Sequence, residues 1–325
     1  MNFTTKYLGL QLPHPLIVGA GPLTDQADTV RELEDNGAAA LVLRSLFEEE
    51  VTGEQMAAFF SSETHGESFA EAGSYAPQPE LAFGPDEYLE HLRRIKSAVR
   101  IPVIASLNGT TAGGWTSIAR MLEQAGADAV ELNLYHAASD PTMSSAEVER
   151  QMIRIVRDVK SGLRIPVAVK LSPLFTAFAH FAMQLDAEGA DGLVLFNRFH
   201  KVDIDVLELE VVRTMPLSDS SDLDLRLRGV AALAGRVKAS LAVTGGVHTA
   251  HDVIKATMTG AHVTQMVSAL LRNGAHHLRT VRRDLETWMQ ENEWGSLEEM
   301  RGNMSFGRVP DPAAYERANF RMMLR

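Results

Sequence analysis

The chain has 325 residues and not one cysteine. Disulfides, thiolate zinc sites, cysteine-ligated iron–sulfur clusters and any cysteine nucleophile or base are therefore excluded within it. A chain without thiols is compatible with the cytosol, where we expect it. No apolar run approaches the ~18 residues that would suggest a membrane span, and the opening Met1-Asn-Phe-Thr-Thr-Lys lacks the apolar stretch of a signal peptide. Positive charge is also short: 31 Lys and Arg stand against 42 Asp and Glu, a formal net charge of −11. Phosphates would be repelled, so no nucleic-acid partner is expected. What is present is ordinary, with 45% apolar and 22% charged residues. That is the make-up of a globular protein large enough for one barrel or two common domains.

Short β-branched apolar runs alternate with amphipathic stretches. The pattern predicts strands at 16–20, 40–44, 102–106, 128–133, 166–170, 192–197, 240–244 and 261–265. It predicts helices at 25–36, 85–99, 116–125, 145–161, 177–188, 225–238, after Thr249 and at 276–291. Eight such units predict a single-domain α/β fold, a (β/α)8 or TIM barrel, over residues 1–294. A doubly wound sheet uses similar units, and the count favours the barrel. The phrases Asn36-Gly-Ala-Ala, Ala125-Gly-Ala-Asp, Glu188-Gly-Ala-Asp and Thr259-Gly-Ala-His precede strands two, four, six and eight. Each reads as a helix-ending glycine before a closely packed strand, and their spacing suggests a repeat of double units. Two long insertions, about 45–84 and 198–223, fall on the rim where barrels carry function. Residues 295–325 read as a C-terminal extension.

Polar residues gather where the apolar runs end, which is the catalytic rim of a barrel. Asn133 closes strand four and Lys170 closes strand five. An amide beside an ammonium suits the edge of a flat, electron-accepting ring, and the ammonium offsets the charge that arrives with a hydride. Ser106, Asn108 and Asn197 end strands three and six, so five polar groups converge on one rim. Each alone could be a satisfied loop residue. A lysine in this place has a second use as a Schiff-base nucleophile, so an aldolase-type barrel is the rival chemistry. His136, three residues past Asn133, is able to give or take a proton near neutral pH; a surface loop histidine is the plain alternative. Arg44 and Ser45 end strand two, and Arg44 either holds an anion or pairs with Glu48 to Glu50. Small residues at Gly19, Ala20 and Gly21 leave room for a flat ring. After strands seven and eight, Gly245, Gly246 and Ser268 suit a corner that cradles a phosphate with backbone N–H groups, or else form a plain tight turn. His180, His200, His248, His251, His262, His276 and His277 show no ligand spacing, and no metal is expected.

From Tyr7-Leu-Gly-Leu-Gln-Leu to about Gly274 the chain resembles the FMN-dependent dihydroorotate dehydrogenase family, especially its dihydroorotate dehydrogenase-like branch. The resemblance implies FMN, with Ala20 and Gly21 against the flavin and Lys170 near its pyrimidine edge. Asn133 matches the asparagine of the Asn-Leu-Ser-Cys-Pro-Asn signature, and Gly245, Gly246 and Ser268 match the phosphate corner. Arg44, Ser45 and Ser106 join the expected cofactor contacts; Asn108, Asn197 and Arg44 are the expected substrate contacts. There are departures. The family's cysteine or serine base is His136, the signature's final Pro-Asn is Ala137-Ala138, a lysine is Arg44, and a phosphate-corner glycine is Val267. The tail from Glu299 is similar to dihydropyrimidine dehydrogenase relatives.

The activity so implied is oxidation of a CH–CH bond in a dihydropyrimidine-type ring, dihydroorotate to orotate, in pyrimidine biosynthesis. His136 would serve as base and Lys170 as electrostatic stabiliser. Segment 45–84 would be a lid that excludes water. The expected partners are a small-molecule substrate and a second copy in a homodimer. The rebuilt substrate half leaves a second reading, a flavin-binding relative without dihydroorotate activity.

Overall fold

The computed structural model describes residues 1–47, 85–108, 112–134, 140–198, 201–214, 216–312 and 315. The expected base His136, and the expected lid beyond Phe47, lie outside the described residues. Eight parallel strands form a closed barrel: β3 Leu16–Val18, β4 Leu41–Phe47, β5 Val103–Asn108, β6 Ala129–Leu134, β7 Val167–Leu171, β8 Gly192–Leu195, β11 Ser240–Thr244 and β12 Val263–Met266. Two antiparallel hairpins, β1 Thr5–Tyr7 with β2 Leu10–Leu12 and β9 Lys201–Asp205 with β10 Glu210–Thr214, complete the strands. The architecture is the (β/α)8 barrel that the alternation predicts.

The helices follow local chemistry. α4, Ser145–Gly162, starts at a reciprocal cap in which Ser144 and Glu147 satisfy each other's backbone N–H groups. Its buried residues Val148, Met152, Val156 and Val159 recur on one face, the stripe that packs on the sheet. α7, Ala250–Thr259, is capped in the same way by Thr249 and Asp252. The helix expected at 225–238 runs instead from Leu223 to Leu233, as α6. It stops there because Ala234 turns to ψ 124° and Gly235 to φ 75°.

Alternation along the strands separates two cores. One lies between sheet and helices. The other fills the barrel, with Ile17, Val42, Ile104, Ala129, Ala168, Val194, Ala242 and Val263 around Tyr7, Leu8 and Leu12 of the first hairpin. That hairpin is a plug the strand pattern did not reveal. Its two-residue turn has positive φ at Leu8 (53°) and Gly9 (77°), the mirror-image turn that suits hairpin twist. A side chain at Gly192 would meet Leu8 Cδ2 at 2.4 Å, so only glycine admits the plug there. Each buried plug side chain contributes roughly 1.5–3 kcal/mol.

The repeat of double units is physical. Gly37, Gly126, Gly189 and Gly260 all take positive φ, at 90°, 97°, 96° and 128°. Beyond two of them, Asp128 and Asp191 accept from Val103 N and Val167 N, at 2.7 and 2.8 Å, while also pairing with Lys96 and Lys160. In the last unit His262 Nδ1 takes the aspartate's place, accepting from Leu241 N at 3.0 Å. The stretch 198–223 is less irregular than expected, because Lys201-Val-Asp-Ile-Asp pairs with Glu210–Thr214 as an exposed hairpin. Beyond Trp294 the chain runs along the barrel's underside: Gly302 N, Met304 N and Phe306 N donate to the carbonyls of Thr257, Met258 and Ala231. Among the described residues no helix is long and apolar enough to cross a membrane.

Candidate active site

Parallel register sets three amides and amines in a row. Asn108 pairs with Asn133 across β5 and β6, and Asn133 pairs with Lys170 across β6 and β7. All three stand at the C-terminal strand ends, at one level. Asn133 and Lys170 are buried, and Asn133 Oδ1 has no hydrogen-bond partner among the described residues. An orphaned buried acceptor costs about 1–3 kcal/mol unless a donor is brought to it; Glu131 Oε1 and Gln265 Oε1 below share this state, and Asn133 is the one of the three in register with Asn108 and Lys170 at the strand-end rim.

A cavity of about 430 Å³ opens over this rim, within the range of cofactor sites. Of the expected contacts, Ala20, Gly21, Arg44, Lys170, Asn197, Gly245, Gly246 and Ser268 line it. Asn108, Asn133, Ser45 and Ser106 do not; Asn133 is tied to the cavity through its register neighbour Lys170, and the two serines are tied to each other. Their hydroxyls lie 2.7 Å apart, tying β4 to β5, and Ser106 is fully buried. Two hollows of about 440 and 610 Å³ lie on the underside, away from the strand ends.

Three of the expected positions gain local detail. Arg44 pairs with Asp25, whereas Glu48 to Glu50 lie outside the described residues. Burial pushes the Asp25 carboxyl up, against the opposing pull of Arg44 and His91. The room expected over Gly19 and Gly21 is partly filled, since side chains there would meet Val267 methyl carbons at 3.0 Å. Ser268 Oγ accepts from Ser218 N at 3.1 Å, which leaves its own O–H to donate, and Ser218 Oγ in turn accepts from Gly246 N at 3.4 Å.

The turn after β11 is tight. Gly245 and Gly246 have φ 82° and 79°, and a Cβ on Gly246 would lie 2.5 Å from Leu223 N. The buried Arg226 sits behind it, its Nε donating to Thr244 O at 2.7 Å. Nothing in the aperiodic 198–223 stretch marked Ser218, nor did Arg198 stand out. Arg198 lines the cavity and has no carboxylate partner among the described residues. Glu131 and Gln265 were also missed. Glu131 is fully buried inside the barrel, its Oε1 3.3 Å from Lys170 Nζ and its Oε2 accepting from Gln265 Nε2 at 2.7 Å. A signal existed: Glu131 is the lone acid in an apolar strand, two residues before Asn133 and so on its face. Below, burial and then the Glu131 charge push the Tyr7 phenol up.

The family model described as dihydroorotate dehydrogenase matches residues 2–289. The chain belongs to the dihydroorotate dehydrogenase family. It is an oxidoreductase acting on a CH–CH bond, and the family's reaction is dihydroorotate oxidation in pyrimidine biosynthesis. It is 28% identical over 313 residues to dihydroorotate dehydrogenase B (NAD(+)), catalytic subunit, of Thermoplasma acidophilum, covering 93% of this chain and 98% of that protein. The protein of that description from Thermoplasma volcanium is equally similar, at 28% over 313 residues with the same 93% and 98% coverage. Identity to the NAD-dependent dihydropyrimidine dehydrogenase subunit PreA of Escherichia coli is 22% over 329 residues, 95% of this chain and 78% of that one. The match runs through every barrel strand.

Proposed function

We propose that this member of the dihydroorotate dehydrogenase family holds FMN across the barrel mouth and oxidises dihydroorotate to orotate. The observation that carries the reading is the orphaned Asn133 Oδ1 in register with Lys170 beside a 430 Å³ cavity. A ring N–H supplies the donor that Asn133 lacks. The Gly245–Gly246 turn lines the mouth and is packed from behind by Leu223 and Arg226, so its backbone can serve a phosphate, with Arg226 adding positive charge. Ala20 and Gly21 line the mouth between the two ends.

Bound there, the flavin supplies the two-electron acceptor for the hydride leaving one substrate carbon. His136 takes the proton from the neighbouring carbon, so that the C=C bond forms. Lys170 presents a fixed positive charge where negative charge develops, in a site shielded from water. Asn197 orients the ring. Arg44 is engaged by Asp25, which leaves Arg198 as the lining guanidinium suited to the substrate carboxylate. Lys170 has the Glu131 carboxylate as its charged neighbour, an arrangement suited to a charge more than to the nucleophilic amine of a Schiff-base aldolase. We take the working form to be a cytoplasmic homodimer. The second acceptor lies outside the chain, which has no cysteine to hold an iron–sulfur relay.

Freshly purified protein is expected to show the visible bands of oxidised flavin, which bleach under anaerobic dihydroorotate. A colourless protein that takes up no added FMN ends this reading; a yellow one that no dihydropyrimidine bleaches leaves only a flavin-binding relative. His136→Ala is expected to slow the bleaching by about 10²–10⁴-fold, and an unchanged stopped-flow rate removes His136 as the base. Arg198→Ala is expected to raise the dihydroorotate concentration at half-maximal bleaching rate by about tenfold, or ~1.4 kcal/mol, with dihydrouracil binding unaffected. Equal weakening of both substrates would dissociate Arg198 from the carboxylate.

A further inference from the structure

Lys170 does not stand alone. Directly beneath it the carboxylate of Glu131 is sealed in the barrel, 3.3 Å from the ammonium at Oε1 and held at Oε2 by Gln265 from the facing strand β12. Glu131 is fully buried, and neither solvent nor salt screens it. A sealed negative charge is costly unless it is paired, and hydrophobic strand residues surround it on both sides in sequence. The pair therefore places a positive and a negative charge in one column under the cavity, the positive nearer the mouth. Lysine alone would favour electrons arriving above it; the carboxylate opposes that pull.

We propose that Glu131 is a positioning residue that both fixes the Lys170 ammonium and offsets its charge, setting the reduction potential of the bound flavin. The inference rests on the flavin reading above and deepens it. An uncompensated lysine traps electrons on the ring. A lysine balanced from below accepts the hydride's charge and still lets the electrons leave for the second acceptor. The part played by Gln265 follows: it anchors the far carboxylate oxygen, so the near one stays aimed at Lys170.

The experiment is a redox titration of flavin-loaded wild-type and Glu131→Gln proteins. Glutamine keeps the shape and retains a partner for Gln265 while removing the charge. The reduced form is expected to gain at least tenfold over the oxidised, a rise of about 30 mV for a two-electron couple. Sulfite, which adds to electron-poor flavins, is expected to bind at least tenfold tighter. Glu131→Asp restores a carboxylate and is expected to bring the potential back toward wild type. A potential that is unchanged or lower in Glu131→Gln overturns the proposal.

A second readout needs no cofactor. In the apoprotein, Glu131→Gln and Lys170→Met singly are expected to lower Tm, and the double variant is expected to lose less than the sum of the two. Additive losses overturn the pairing. The two layers separate cleanly: a protein that binds no flavin ends both the function and this inference, whereas a yellow protein whose potential ignores Glu131 ends this inference alone.

Discussion

Exchanging Lys170 for methionine is expected to slow flavin reduction by dihydroorotate by about 10²–10³-fold, the usual cost of removing one preorganised electrostatic group. Methionine keeps the apolar stem and deletes the charge. The loss should appear in the limiting rate at saturating substrate, because the ammonium helps only as charge develops. Stability should fall as well. Breaking a buried ion pair from one side costs about 3–5 kcal/mol, a large share of the roughly 5–15 kcal/mol that folded domains possess. Stopped-flow reduction and urea unfolding of the same sample separate the two effects. A normal limiting rate would show that the ammonium has no part in the reaction. Borohydride treatment in the presence of a sugar phosphate adds a sharp control: covalent trapping on Lys170 would revive the aldolase alternative, and none is expected.

Acid is expected to unfold this protein through two buried histidines. His14 and His262 are both lowered from 6.5 to about 4, by burial first and then by Arg282 and Arg301 respectively. Both accept hydrogen bonds at Nδ1, from Leu16 N and Leu241 N, which a second proton would abolish. Between pH 6.5 and 4 the unfolded chain binds protons that the folded chain refuses. The stability present above pH 6.5 is therefore lost as pH falls toward 4. Each histidine contributes about 2–3 kcal/mol of loss by pH 4.5, close to 5 kcal/mol together. Urea unfolding at pH 7 and pH 4.5 measures the difference. His262→Asn, which accepts from Leu241 N without titrating, should recover about half of it. Equal stability at the two pH values would mean that both rings are protonated in the native state without penalty.

Much of the barrel was legible because its parallel strands are apolar runs punctuated by glycine. All eight strands appear where the runs stand, one of them with identical bounds and the others shifted by up to three residues at an end, where hydrogen bonds rather than composition decide the boundary. The rim was legible for a simple reason: a polar residue at the end of an apolar strand has few uses other than function. Asn133 and Lys170 illustrate it. What escaped notice is equally instructive. The plug of residues 5–12 is too short for a periodic signal, and its partners are distant in sequence. Arg44's companion, Asp25, stands nineteen residues away in sequence and is brought to it by the chain's path over β3. Glu131 was hidden in plain view, since an apolar run draws attention to its ends and not to the acid in its middle. Gln265 gains meaning only when β12 closes against β3 and faces Glu131 across the barrel.

The plug also has a temporal side. Leu8 N donates to Ser240 Oγ and Thr5 Oγ1 to His262 O, across separations of 232 and 257 residues. At ribosomal speeds of about 5–20 residues per second, a span of that size takes roughly 10–50 s to synthesise. Tyr7, Leu8 and Leu12 are thus made well before their partners and buried late, and throughout that wait the nascent chain carries an unsheltered oily segment. Long-range closure of this kind is slow. The cap on the barrel's floor is where a chaperone would find its earliest and longest-lasting handle.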